Sequence, residues 1–184
     1  MTYKENLINQ IKDACGKVVY TYTTHLMQVG IDEKRLKISQ NTVIALSAIS
    51  TTGIISSLIF SQTWAAIVSA VISSLSLGLT LFSKEWNLKD KIAKHQNTAD
   101  ELWIIREDYI SLLTDSQILD DDVIAKKRDA LNAEVARIYK VAPHTSKSAY
   151  EQAKHALQEG GSQDFSVEEL DHILPINLRE NEKV

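Results

Sequence analysis

From Ser39 to Ser83 the chain runs forty-five residues without a charged side chain, although 24% of its 184 residues are charged. A helix needs about 20 predominantly apolar residues to cross a hydrocarbon core about 30 Å thick. The uncharged stretch holds two such lengths, Thr42 to Ser61 and Trp64 to Phe82 or Ser83. Only Gln62 and Thr63 lie between them, so the second helix must turn back against the first and the unit is a transmembrane hairpin. The predicted fold class is therefore all-α, a two-span helical hairpin carried by amphipathic helices.

A hairpin puts both of its outer ends on one side of the membrane. Lys34, Arg35 and Lys37 precede the first span and Lys84, Lys89 and Lys91 follow the second, whereas the tip has no Lys or Arg. The excess of basic residues on the inner side of spans then predicts two cytoplasmic termini in a cell inner membrane. Trp64 near the tip and Trp86 near the inner face stand where interfacial aromatic anchors stand. The competing reading is a soluble bundle that buries the hairpin, since an all-round apolar helix also suits a protein core. A chain of this length leaves few other helices to wrap two of them.

The expected organisation is an N-terminal cytoplasmic amphipathic helix over 1–38, the hairpin over 39–83 and a cytoplasmic helical region over 84–184. In the first part Leu7, Ile11, Ala14 or Cys15, Val18, Tyr22, Leu26 and Val29 have the spacing of one helix face. Gly30 followed by Asp32 predicts a helix end and a restart. His25, beside that face, reads as a packed or hydrogen-bonded residue. Cys15 is the only cysteine, which excludes an internal disulfide and a thiolate metal cluster and suits a reducing compartment. No cleavable secretory signal is expected, because the apolar region begins late and is doubled.

The spans are rich in small hydroxylated residues. Ser47, Ser50, Gly53, Ser57 and Ser61 form a candidate packing face on the first. On the second, Ser69, Ser73, Ser76, Thr80 and Ser83 recur at alternating steps of four and three. Helices in lipid gain nothing from hydrophobic burial against one another and associate by close approach at small residues and by hydrogen bonds. The stripe is thus expected to pack helix on helix, within the hairpin or between subunits of a homo-oligomer. The sharper alternative is that it lines a water-filled pore. Neither span holds an ionisable residue, which disfavours proton relay and voltage sensing there.

No Pro or Gly occurs from Ser83 to Leu113, so the second span is expected to continue as a long cytoplasmic helix. Its seam is Leu88, Ile92, His95, Ala99, Leu102, Arg106, Tyr109 and Leu113. His95 and Arg106 sit where an apolar residue would cost less; they are candidate switch positions, the alternative being a partly exposed seam or pairing with Glu101 or Glu107 from a neighbour. A loop follows over Thr114 to Leu119, then a helix capped by Asp120 to Asp122, with Val123 or Ile124, Lys127, Leu131, Val135 and Ile138 as its face and Pro143 at its end. Short helices are predicted from Ser146 to Gln158 and from Val167 to Leu174, the latter with a Ser166–Glu169 capping box and a Phe165–Leu170 staple.

Formal net charge is −4, and the basic cluster Lys126, Lys127, Arg128 is offset by Asp120, Asp121, Asp122 and Asp129. A nucleic-acid surface is not expected. Neither a metal cluster at ligand spacing, nor a nucleophile elbow, nor a phosphate-binding Gly-rich loop is present in the sequence, so no catalytic, metal or cofactor residue is assigned and the chain reads as a non-enzyme.

This order of parts resembles the SLATT domains, named for SMODS- and SLOG-associating two-transmembrane effectors. The resemblance is carried by Gly16 to His25 (GKVVYTYTTH), Leu46 to Gly53 (LSAISTTG), the tight hairpin, the helix beyond it, and the tail segments Phe165 to Asp171 (FSVEELD) and Leu174 to Arg179 (LPINLR). It implies a membrane effector of prokaryotic antiviral conflict, acting beside a nucleotide-generating or nucleotide-sensing partner protein and permeabilising the membrane to kill or arrest an infected cell. The subclass is left open. The residues alone also allow a membrane-anchored interaction module without pore activity, or a soluble protein that inserts on activation.

Overall fold

The computed structural model describes residues 2–85, 87–159, 169–170 and 173. Five long helices follow in order: α1 (Tyr3–Phe60), α2 (Thr63–Glu85), α3 (Leu88–Asp115), α4 (Asp121–Val141) and α5 (Lys147–Gln158). Among the described residues there is no strand.

The first helix is the spine. At 1.5 Å per residue its 58 residues reach about 87 Å, and every other helix packs against it. It starts on a capping box: the Glu5 backbone N–H donates to Thr2 Oγ1 at 3.2 Å and the Thr2 N–H to Glu5 Oε2 at 2.7 Å. Its lower half carries α3, α4 and α5; its upper half carries α2 as an antiparallel partner.

The core of the lower bundle is Leu7, Ile11 and Val18 of α1, Leu102, Ile105, Tyr109 and Leu112 of α3, and Ile124 and Ile138 of α4. Each such side chain contributes about 1.5–3 kcal/mol by leaving water. The Tyr109 hydroxyl donates to Asn132 Oδ1 at 2.8 Å, which keeps its polar end satisfied. The fifth helix approaches α1 closely through the buried Ala149 and Ala153, and Tyr150 stacks on Tyr20 with centroids 6.2 Å apart.

The hairpin is bare by comparison. Only 6% of the most apolar stretch of α1 and 17% of that of α2 is buried. Leu58 at the tip is 78% exposed. Among the described residues no helix covers the apolar half of the hairpin, which does not favour a soluble bundle that buries it.

Two expectations about continuity are corrected. Gly30 does not end a helix; α1 passes straight through it. Val29 and Asp32 are both buried on the bundle side of α1, and that packing outweighs the weak stop signal of one glycine. A Cβ at Gly30 would meet nothing within 4 Å. Ala there should restore the usual helix propensity, so Gly30→Ala is expected to stabilise the protein by about 0.5–1 kcal/mol, read as a higher thermal midpoint of helical circular dichroism in detergent.

The second correction is at the other end of the hairpin. The second span does not continue unbroken: α2 stops at Glu85 and α3 begins at Leu88. Asn87 between them has φ 39° and ψ 47°, the left-handed region that asparagine tolerates better than most residues. Absence of Pro and Gly is thus not enough to keep a helix going. The Trp86 anchor lies outside the described residues.

The later elements fall close to expectation. The loop is shorter, 116–120, and Lys4 Nζ donates to the Leu119 carbonyl at 2.8 Å. Asp120 is the N-cap of α4 without a side-chain cap bond; the acids of that turn act on the helix dipole instead. The fourth helix stops at Val141, and Ala142 is extended, as a residue before proline prefers. Ser146 Oγ caps α5 by accepting from the Ala149 N–H at 3.2 Å. Phe165 and Ser166 of the last predicted helix, and Leu174 to Arg179, lie outside the described residues.

Candidate functional site

Two polar constructions stand out against the apolar framework, one within the hairpin and one just below it. The first is a seam of hydroxyls between the spans. Ser47, Ser50 and Gly53, one turn apart on α1, face Ser76, Ser73 and Ser69 on α2 in antiparallel order. The Ser50 hydroxyl donates to the Ser69 carbonyl at 2.8 Å. It is also bonded to Ser73 Oγ, and since one hydroxyl has one proton, Ser73 is the donor in that contact. Ser47 Oγ and Ser76 Oγ are 3.5 Å apart.

At Gly53 the two helices are in tight contact. An added Cβ would collide with Ser69 Oγ, with Ser69 Cβ at 3.5 Å and the Ala65 carbonyl at 3.7 Å behind it. The remaining stripe residues lie elsewhere. Ser57 is half-buried and bonds back to the Ile54 carbonyl at 2.9 Å. Ser61 is exposed at the tip with φ 52°, ending α1. Thr80 is exposed, its hydroxyl on the Ser76 carbonyl at 2.9 Å. The Ser83 side chain is outside the described residues. The Trp64 indole N–H donates to Gln62 Oε1 at 2.8 Å at the turn.

The second construction lies where α1 leaves the bundle. Above Tyr22 the buried face of α1 turns mainly polar: Thr23, Thr24, His25, Gln28 and Asp32 are buried there, with Val29 the one buried apolar residue among them. His25 meets His95 of α3 with Nδ1 to Nδ1 at 2.9 Å and ring centroids 5.0 Å apart. Both residues are 3% exposed. Gln28 Nε2 donates to Asp32 Oδ2 at 3.0 Å and Arg35 to Asp32 Oδ1 at 3.2 Å. Gln28 Oε1 accepts from the Ser146 backbone N–H at 2.9 Å, tying the start of α5 to the same turn.

A cleft of about 450 Å³ opens onto this cluster, lined by Asp32, Arg35, Lys91, His95, His144 and Ser146 among others. Burial, followed by the neighbouring His95 ring, pushes the His25 imidazole down to about 4. Burial likewise lowers His95; Asp32 opposes that shift and Lys91 adds to it. Both rings are neutral at pH 7, so one Nδ1 carries the proton shared in the contact and the other accepts it.

Of the two candidate switch positions, His95 thus has a partner the sequence did not indicate. Arg106 pairs with Glu107, its Nε buried without a hydrogen-bond partner among the described residues. Glu101 instead pairs with Arg137 of α4 at 2.7 Å. The clustering of His25, Gln28 and Asp32 is a feature of the fold rather than of a sequence motif. Polar residues three or four apart, continuing a buried face, were the available signal. Among the described residues no three His, Cys, Asp or Glu side chains are placed to hold a metal ion.

No curated protein matches the chain. No solved structure matches it. The family model for the SMODS and SLOG-associating 2TM effector domain, family 4, matches residues 7–169, which include both apolar helices, the hydroxyl seam and the histidine pair, and the chain belongs to that family of two-transmembrane effector domains.

Proposed function

We propose that the protein is a membrane effector of a prokaryotic antiviral system. Its hairpins associate into an oligomer in the inner membrane and permeabilise it when a nucleotide-generating or nucleotide-sensing partner signals. The observation that carries this reading is the pairing of a bare apolar hairpin with an internal row of hydroxyls. Its outer surface suits lipid or neighbouring hairpins. The seam hydroxyls are satisfied by one another and by the Ser69 carbonyl, and water could take over those bonds if the spans separate. Membership of an effector-domain family supports the same reading. Lys34, Arg35, Lys37 and Lys89 at the base of the hairpin favour cytoplasmic termini.

A second reading has its own support, since Ser50, Ser69 and Ser76 are buried between the spans. On that reading the hairpin only anchors and the helical bundle recruits a partner. Dye release from liposomes holding the purified protein separates them. Thr80 is exposed, so Thr80→Leu leaves the hairpin contacts in place. On the pore reading it and Ser76→Leu change the leak several-fold, with insertion unaltered. Leakage equal to wild type in both variants would leave the anchor.

A further inference from the structure

The His25–His95 contact is unusual in its chemistry. Two imidazoles facing each other through Nδ1 at 2.9 Å need one proton between them. When both rings are neutral, one Nδ1–H donates to the other Nδ1. A first added proton enters at the Nε2 of the donor ring and leaves that bond intact, now charge-assisted. A second can only enter at the accepting Nδ1. That replaces the bond with two N–H groups pointing at each other, on two cations held out of water.

The contact also has a strategic place. His95 is on α3 seven residues past Leu88, about 10 Å along the helix, and Leu88 follows the left-handed Asn87 that separates α3 from α2. His25 is on α1, which runs without a break into the first span. The two rings therefore join the membrane-proximal end of α3 to the spine below the hairpin. The charged and titratable groups that face the pair's cleft are Asp32 and Arg35 from α1, Lys91 from α3, and His144 from the α4–α5 connection. Asp32 favours the first proton. Lys91 opposes both, and a charged His144 would add to that opposition. Through the cleft, protons from bulk water reach His95.

We propose that His25 and His95 form a proton-sensing latch between α1 and α3, closed while at least one ring is neutral and released when both carry charge. Release frees the root of α3 from the spine, and with it the end of α2 across the Asn87 break. That this movement regulates permeation rests on the pore reading above. The latch itself does not.

Spin labels at the exposed positions Glu33 and Ala93, in a Cys15→Ser background, report the α1–α3 distance in the full chain in lipid nanodiscs. Between pH 8 and pH 4 a longer-distance population is expected to grow, by about tenfold per pH unit through the second protonation. His95→Gln keeps a hydrogen bond to His25 and does not titrate, so it should hold the short distance throughout. His25→Gln serves equally if the first variant fails to fold. An unchanged distance in the wild type, or equal opening in both glutamine variants, overturns the latch. Opening without dye release from matched liposomes supports the latch and counts against the pore. Acid-induced leakage without opening overturns the latch and leaves the pore reading standing.

Discussion

Gly53→Leu is expected to part the two apolar helices. The spans are in tight contact at this glycine, where Ser69 Oγ occupies the space a Cβ would need. Ser69 is 2% exposed, so its side chain can rotate but has little room to leave. For Ala one rotation of the Ser69 hydroxyl is enough, because Ser69 Cβ and the Ala65 carbonyl are at ordinary contact distances of 3.5 and 3.7 Å. Leucine brings three further carbons into the same space and must displace the helix itself. Overpacking of this kind costs about 1–3 kcal/mol. Losing the Ser50 bonds to Ser69 and Ser73 as the spans separate adds about 0.6 kcal/mol each. Gly53→Ala should stay within about 1 kcal/mol of wild type and Gly53→Leu fall about 3 kcal/mol below it, measured by thermal melting in one detergent. A Leu variant as stable as the Ala variant would mean that the spans do not meet at Gly53.

The hairpin was legible because it rests on composition over a long window, where forty-five uncharged residues leave little choice of environment. The seam was legible as a pattern, since small residues at steps of three and four share a face whichever helix they meet. Its register was not: Ser47, Ser50 and Gly53 opposite Ser76, Ser73 and Ser69 depends on the turn at Ser61, where the backbone goes left-handed. The family was reached through resemblance, and the match to family 4 over residues 7–169 supplies the subclass.

Helix continuity was the least legible feature, and both departures from local propensity have one cause. Gly30 looked like a stop and is not, while Asn87 gave no warning and is one. Local propensity at a single residue is worth about 1 kcal/mol, less than the packing of one buried side chain. What decides is whether the chain on both sides of the residue has something to bind. Val29 and Asp32 both pack on the bundle, so α1 runs straight on. Past Glu85 the spine no longer offers one continuous face: α2 lies on its upper half and α3 on its lower half, and the chain re-aims between them. His25 and His95, seventy residues apart, meet only because α1 and α3 share that lower face. Neither histidine reveals the other in sequence.

The bundle should lose stability in mild acid, and the histidine pair fixes the direction. In the unfolded chain an imidazole titrates near 6.5, whereas burial and the His95 ring hold folded His25 down at about 4. A group whose folded value is depressed below its unfolded value binds protons more readily when the chain is unfolded, so stability rises with pH through that window. The contribution is therefore complete above pH 6.5 and lost progressively as pH falls towards 4. Each pH unit in the window is worth about 1.4 kcal/mol, so His25 alone accounts for up to about 3 kcal/mol. His95 shifts the same way, moderated by Asp32. Carboxylates on exposed faces, such as Asp13 and Asp90 in their ion pairs with Lys17 and Lys94, contribute little, because solvated pairs are worth a fraction of a kcal/mol. Denaturant melts of the full chain in a nonionic detergent should thus show a falling midpoint between pH 7 and 4.5. In His25→Gln the side chain keeps a partner for His95 without a proton to gain, and the slope should be less than half that of the wild type. Equal slopes in the two proteins would place the acid sensitivity elsewhere in the chain.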